Sequence, residues 1–164
     1  MNTDTSTAVR TETLVEAPIE RAFKVFTEEM ETWWDADHHL GDAPLAEMVV
    51  ERHVGGRIFD RYTDGSECQW SRVLAYEPPT LFVFSWDINT RWELETDPDK
   101  TSEVAVTFVA EGPDRTRVAL EHRHLDRHGE GWEGMRDAVG QGWAGLEGYT
   151  AAVERAGKSQ EDSR

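Results

Sequence analysis

Between positions 45 and 124 the chain repeats one pattern six times: a short run rich in β-branched and aromatic residues, then a turn signal. The punctuation is Gly55-Gly56, Asp64-Gly65, Pro78-Pro79, a longer polar loop around Asp97-Pro98-Asp99, and Gly112-Pro113-Asp114. Connections this short leave neighbouring strands no choice but to run antiparallel. Residues 45–54, 57–62, 67–76, 80–88, 103–111 and 115–124 are therefore read as one antiparallel meander that forms a curved sheet. A further β-like run, residues 8–16 (AVRTETLVE), carries Val9, Thr11, Thr13 and Val15 on one face.

Helical spacing appears on either side of the meander. Pro18 occupies a first-turn position and is followed by Ile19, Ala22, Phe23 and Phe26 at helical intervals, which predicts a helix of about two turns. Met30 to Trp34 (METWW) reads as a second short helix before the polar loop 35–42. Near the other end, Trp132, Met135, Val139, Trp143, Leu146, Tyr149 and Val153 recur at three- and four-residue steps and trace one face of a long helix. Five glycines fall inside it, at 134, 140, 142, 145 and 148. Each costs about 1 kcal/mol relative to alanine, so tertiary contact must offset them, or Gly140-Gln141-Gly142 divides the helix in two. The expected class is α+β, with the sheet wrapped around a long C-terminal helix and two short helices after the first strand.

The chain of 164 residues holds 17 Lys+Arg against 33 Asp+Glu, a formal charge of −16. An acidic surface repels phosphate backbones and anionic lipid, so neither nucleic acid nor a membrane surface is an expected partner. No apolar run approaches the length of about 20 residues that spans a bilayer, and MNTDTSTAVR lacks the apolar core of a signal peptide, which together lead to the expectation of a cytoplasmic protein. The lone Cys68 has no second thiol for a disulfide or a Cys-only metal site and is read as a small buried hydrophobe in a strand. One domain is expected over residues 8–156, with flexible termini at 1–7 and 157–164.

The order and motifs resemble the helix-grip (START or Bet v-like, SRPBCC) superfamily, and within it the domain typified by the activator of heat-shock protein 90 ATPase. The resemblance rests on VEAPIERAFKVFTE, METWW, VGGRIFDRYTDGSECQWSRVLAYEPPTLFVFSW, SEVAVTFVAEGPDRTRVALEHRHLDRHGEG and GWAGLEGY. It covers most of residues 8–155, and the W-x-R-V-L-x-Y-x-P-P…L-x-V-F-S-W segment is its most specific part. The namesake carries a separate N-terminal domain that these residues do not include. What the resemblance implies is a cavity between the concave sheet and the last helix, which in many relatives holds a hydrophobic small molecule. Some relatives are cyclases or aromatases, some carry lipids or hormones, and the namesake stimulates a chaperone.

Phe82, Phe84 and Trp86 share one strand face, opposite Leu81, Val83 and Ser85. Simple alternation likewise groups Cys68, Trp70, Arg72, Leu74 and Tyr76 against Gln69, Ser71, Val73 and Ala75. With seven tryptophans in the chain, these rings either fill a core or line a cavity; the resemblance makes Trp33, Trp34, Trp70, Phe84, Trp86, Trp143, His122 and Arg57 candidate lining residues. Gly142 and Gly145 sit beside the helix's apolar face, where a larger side chain would fill such a space.

Val118, Leu120, His122 and His124 share a face of the last strand. The two imidazoles, joined by His38 or His39, form only a weak metal pattern, and no metal or other cofactor is expected. Ser71 or Ser85 with His122 lacks the G-x-S-x-G elbow of a hydrolase, and no phosphate-binding glycine loop occurs. His122 or Glu67 is the candidate lone acid or base, while Arg57, Arg72 and Arg91 pair with a ligand carboxylate or with the many acidic side chains. Three readings follow. The first is non-enzymatic binding of a hydrophobic or aromatic small molecule, with a possible stress-related role; the second is a chaperone-interacting protein; the third is a cyclase/aromatase-like or hydrolytic enzyme. Either a monomer or a homodimer fits.

Overall fold

The computed structural model describes residues 7–30, 33, 44–143 and 146–162, with 157–162 as backbone only. Seven strands, β1 (Val9–Val15), β2 (Leu45–Val50), β3 (Arg57–Tyr62), β4 (Glu67–Glu77), β5 (Leu81–Trp86), β6 (Ser102–Gly112) and β7 (Arg115–Arg123), form one sheet in the order β1-β7-β6-β5-β4-β3-β2. Every neighbouring pair is antiparallel. From β2 to β7 the order is that of a meander, and β1 closes the far edge against β7. The sheet curves into a half-barrel, as a helix-grip fold requires.

Three helices cover its inner face: α1 (Ile19–Glu28), α2 (Trp132–Trp143) and α3 (Glu147–Asp162). Helix α1 follows Pro18 and buries Ala22, Phe23, Val25 and Phe26, the face its spacing predicts. It packs on β6, β7 and α3, while α2 and α3 both lie against β1. The second short helix expected at Met30 to Trp34 falls mostly outside the described residues; within it a Trp33 N–H donates to the Met30 carbonyl at 3.2 Å.

The C-terminal helical segment differs from the single uninterrupted helix of the sequence reading. It divides, but not at Gly140-Gln141-Gly142, which lies wholly within α2. The division falls between Trp143 and Glu147, where Leu146 takes φ 50°. A left-handed leucine costs roughly 1–2 kcal/mol, and burial of its side chain to 4% exposure offsets this. The predicted apolar face nevertheless holds across both pieces: Met135, Val139, Trp143, Leu146, Tyr149 and Val153 are all buried.

Strict alternation also fails along β4. Register shifts between Ile58 and Phe59 and between Val73 and Ala75 insert an extra residue on the bulged strand. Each bulge moves the following side chains to the other face. Val73, assigned by alternation to the face opposite Trp70, therefore joins Trp70 in the core. Strand β5 has no such break within its pairing with β6, and Phe82, Phe84 and Trp86 all point inward.

The glycines of the C-terminal segment have separate roles. A Cβ at Gly148 would stand 2.9 Å from the Trp33 carbonyl oxygen, so α3 can seat at this distance only with glycine there. At Gly142 a Cβ meets nothing, because the position faces outward; it is not a route to filling the interior, and Gly145 lies outside the described residues. Gly148→Leu is expected to lose roughly 1–3 kcal/mol by overpacking, whereas Gly142→Leu is expected to be neutral or to gain up to about 1 kcal/mol from helix propensity. Denaturant unfolding of the two variants checks this, and equal losses would contradict the placement of α3.

Candidate functional site

The inward positions of β4 and β5 and the inner face of α2 place three indoles in one line. The Trp86 ring lies 5.9 Å from Trp70 and 6.3 Å from Trp143, with interplanar angles of 71° and 68°. Trp70 continues the line to Phe84, 6.1 Å away and nearly perpendicular at 86°. Phe84 meets Phe26 of α1 at 6.4 Å, and Phe26 meets Trp33 at 4.9 Å. Edge-to-face contacts of this kind contribute about 0.5–1.5 kcal/mol each beyond the area they bury. Trp33 is fixed further by its indole N–H, which donates to the Val25 carbonyl at 3.0 Å.

One end of this aromatic ladder carries a buried carboxylate. Asp60, on the inward face of β3, accepts the Trp70 Nε1–H at 3.1 Å on one oxygen and the Tyr62 hydroxyl at 3.1 Å on the other. Cys68 sits across the β3–β4 register from Asp60. Burial, reinforced by that carboxylate, pushes its thiol pKa upward and leaves it an unreactive thiol rather than a nucleophile.

The other end carries two imidazoles. His122 is an inward residue of β7, fully buried, with its ring centroid 5.1 Å from that of Trp86. The Trp143 indole donates to His122 Nδ1 at 3.2 Å. An indole N–H can only donate, so Nδ1 is bare and the proton of the neutral ring sits on Nε2. That nitrogen lies 2.8 Å from Ser102 Oγ, and Ser102 Oγ lies 2.7 Å from His128 Nε2. Burial drives the His122 pKa down to about 3, with the neighbouring His128 adding to the effect. Burial lowers His128 too, against the opposing pull of Glu95 and Asp87. Both rings are neutral at physiological pH.

Of the expected lining residues, the fold thus brings together Trp33, Trp70, Phe84, Trp86, Trp143 and His122, and Trp34 lies outside the described residues. Arg57 is elsewhere: it is exposed, stacks 4.7 Å over Phe59, and grips Glu51 through Nε and Nη2. That guanidinium holds the Glu51 carboxyl down at about 2. Glu67 pairs with Arg61 at 3.2 Å, and Arg72 makes a bidentate pair with Asp87, 3.0 Å for each bond. Arg91 is exposed in the loop after β5. These cations meet acidic side chains or solvent.

His124 also departs from the sequence reading. Strand β7 stops at Arg123 and His124 takes φ 63°, so its ring does not line up beside His122 but sits 4.0 Å from Glu103 at the surface. His38 and His39 lie outside the described residues, and among those described no group of three His, Cys, Asp or Glu could hold a metal. Ser71 Oγ donates to the Ser85 carbonyl and Ser85 Oγ accepts the Arg72 backbone N–H at 2.8 Å, so each hydroxyl has a partner other than His122. Asp60, Tyr62, Ser102 and His128 were not singled out from sequence. Asp60 left a signal, a charge at an inward period-2 position between Ile58 and Tyr62; His128 left none, because the left-handed turn at His124 brings it under the sheet.

A separate concavity of about 490 Å³ lies mainly on the outer face of the sheet, between Arg10, Ala105, Thr107, Ala119 and Arg123. It is open and shares none of the ladder residues.

The family described as Activator of Hsp90 ATPase homolog 1-like protein matches residues 16–151. The chain belongs to that family. Among solved structures of similar fold is an anthrahydroquino-gamma-pyrone synthase, Txn09, complexed with SUM; it is 34% identical, with 88% of this chain and 96% of that one covered and a TM-score of 0.64. The self-sacrificing resistance protein CalC from Micromonospora echinospora is 28% identical over 92% of this chain and 96% of its own, at a TM-score of 0.66. A protein from Nitrosomonas europaea at 11% identity, covering 95% and 99% and with a TM-score of 0.64, shares the fold. No curated protein matches the chain. The fold of this Hsp90-activator-like family supports a ligand-binding domain. Among the described residues, no helix is long and apolar enough to cross a membrane.

Neutral, buried imidazoles have a consequence for acid stability. Unfolded imidazoles take up protons as pH falls below the ordinary value of 6.5, whereas His122 in the fold does not until about 3. The native state then binds fewer protons than the unfolded chain, and stability falls as pH drops through that window. Each withheld proton contributes a slope of at most about 1.4 kcal/mol per pH unit. Between pH 6.5 and about 4.5, where most carboxylates remain ionised, His122→Gln is expected to unfold with a shallower pH dependence than the parent. Parallel slopes in urea titrations would contradict the buried neutral ring.

Proposed function

We propose that this protein binds a flat, oxygen-bearing aromatic small molecule between the sheet and the C-terminal helices, against the ladder of Trp70, Trp86 and Trp143. The single observation that carries the reading is the ladder itself: three indoles in series on an inner face, with a carboxylate at one end and imidazoles at the other. Apolar walls with a few placed polar groups are the usual make-up of a small-molecule site. A planar ligand exchanges edge-to-face ring contacts for contacts of similar worth, so its entry need not forfeit the packing energy of the rings. Similarity to a protein described as an anthrahydroquino-gamma-pyrone synthase supports a polycyclic ligand of that general kind.

A catalytic variant of this reading, a cyclase-like enzyme, draws support from the same 34% identical synthase. Ligand binding is common to both, and conversion of the bound molecule separates them. The chaperone reading rests on the family's description.

The test uses 1,8-dihydroxyanthraquinone as probe. Binding should quench tryptophan fluorescence and raise the melting temperature; at a hundredfold excess over Kd, selective binding to the native state adds about 2.7 kcal/mol of stability. Trp86→Phe, which keeps an aromatic ring but shortens the ladder, should weaken binding about tenfold, or about 1.4 kcal/mol. Absence of both quenching and thermal shift across a panel of polycyclic quinones, in protein verified to be ligand-free, would overturn the reading.

A further inference from the structure

The hydrogen bonds at the imidazole end of the ladder form a relay whose direction is set by the Trp143 indole, which can only donate. Trp143 donates to His122 Nδ1 at 3.2 Å, so His122 must donate from Nε2 to Ser102 Oγ at 2.8 Å. A serine oxygen can accept twice, but the Ser102 hydroxyl proton has no other acceptor among the described residues, and the arrangement that uses it turns that proton to His128 Nε2 at 2.7 Å. His128 Nε2 is then the acceptor, and the proton of the neutral ring lies on Nδ1. That Nδ1 is buried and has no hydrogen-bond partner among the described residues. The residue is 7% exposed. A buried donor left unmatched costs about 1–3 kcal/mol, so a fold that keeps one has left a place for an acceptor.

We infer that His128 Nδ1–H is the polar anchor of the ligand site, donating a hydrogen bond to a carbonyl or phenolate oxygen of the bound aromatic molecule, with Trp143, His122 and Ser102 as positioning residues that fix its tautomer. The inference rests on the binding reading above and names the functional group the ligand must present. His122 touches Trp86 at 5.1 Å and accepts from Trp143, so the chain that begins on the ladder ends on His128. The 3₁₀ turn Leu125–His128 is held against the core by the wholly buried Leu125, whose N–H donates to the Thr7 carbonyl at 2.9 Å. The charged groups that act on the ring are Asp87, at the end of β5, and Glu95 in the following loop. Asp87 is already engaged by Arg72 through two bonds of 3.0 Å, and a Glu95 oxygen accepts the Asp97 N–H at 3.2 Å. Neither is hydrogen-bonded to Nδ1.

Two substitutions separate the two ring nitrogens. His128→Asn retains a donor near the position of Nδ1; His128→Gln retains an acceptor near the position of Nε2, for Ser102, and loses the Nδ1 donor. Two probes separate polar from apolar binding: 1,8-dihydroxyanthraquinone and the oxygen-free phenanthrene. With fluorescence titration of folded protein, His128→Gln should weaken the quinone about tenfold and leave phenanthrene within about twofold, while His128→Asn holds the quinone within about threefold of the parent. Equal effects of both substitutions, equal effects on both probes, or no effect on the quinone would overturn the anchor. Long-range proton–nitrogen correlation spectra of the parent judge the relay without any ligand: His122 should be protonated on Nε2 and His128 on Nδ1. A His128 ring protonated on Nε2 would overturn the relay even if no probe binds. Failure of both probes to bind the parent, with the expected tautomers present, would instead remove the binding reading and the anchor with it, leaving the relay as a feature of the core.

Discussion

Trp86 stands where sheet and C-terminal helices meet, and the rest of the interior is arranged around its indole. It touches Trp70 on the neighbouring strand, His122 two strands away across β6, and Trp143 on α2. Its place follows from period-2 alternation in β5, which sends Phe82, Phe84 and Trp86 inward together. Helix α1 closes one end of this surface through Phe26, and α3 closes above it through Tyr149, whose ring lies 5.3 Å from Phe26 and whose hydroxyl donates to the Ala22 carbonyl at 2.5 Å.

Most of the charge lies on the outer surface, with Asp60 the buried carboxylate at the ladder. With a formal charge of −16, most arginines on the outer surface are committed to carboxylates: Arg117 to Glu12 and Glu111, Arg123 to Glu103, Arg61 to Glu47 and Glu67. Exposed pairs of this sort contribute little stability each, with a median of about 0–1 kcal/mol. Their consequence is electrostatic: the acidic excess disfavours the approach of anions, which fits a neutral or weakly acidic ligand. At the two ends of the ladder, Asp60 is met by hydrogen-bond donors and the imidazoles stay neutral through burial.

The meander, the grouping of Phe82, Phe84 and Trp86 on one face of β5, α1 and the apolar face of the C-terminal segment are all legible in the sequence, because period 2 and period 3.6 are imposed by the backbone and written into residue order; which face of β5 points inward is not. Two other things are not. Bulges carry no fixed signature, so Val73 was placed opposite Trp70 although both belong to the core; and a left-handed residue at His124 or Leu146 carries no glycine to announce it. The first of those two turns hid His128, and with it the partner of His122. The resemblance makes Arg57 a cavity candidate, whereas local geometry gives it the acidic partner that was the alternative, Glu51, six residues away and within bidentate reach.

The central claim is that the ladder is where a ligand sits. Fluorine NMR of protein labelled with 5-fluorotryptophan resolves the indoles individually. Added 1,8-dihydroxyanthraquinone should shift the resonances of Trp70, Trp86 and Trp143 while leaving that of Trp92, which is 47% exposed in the loop after β5, in place. A shift at Trp92 with the three ladder indoles unmoved would put binding on the surface and contradict the account.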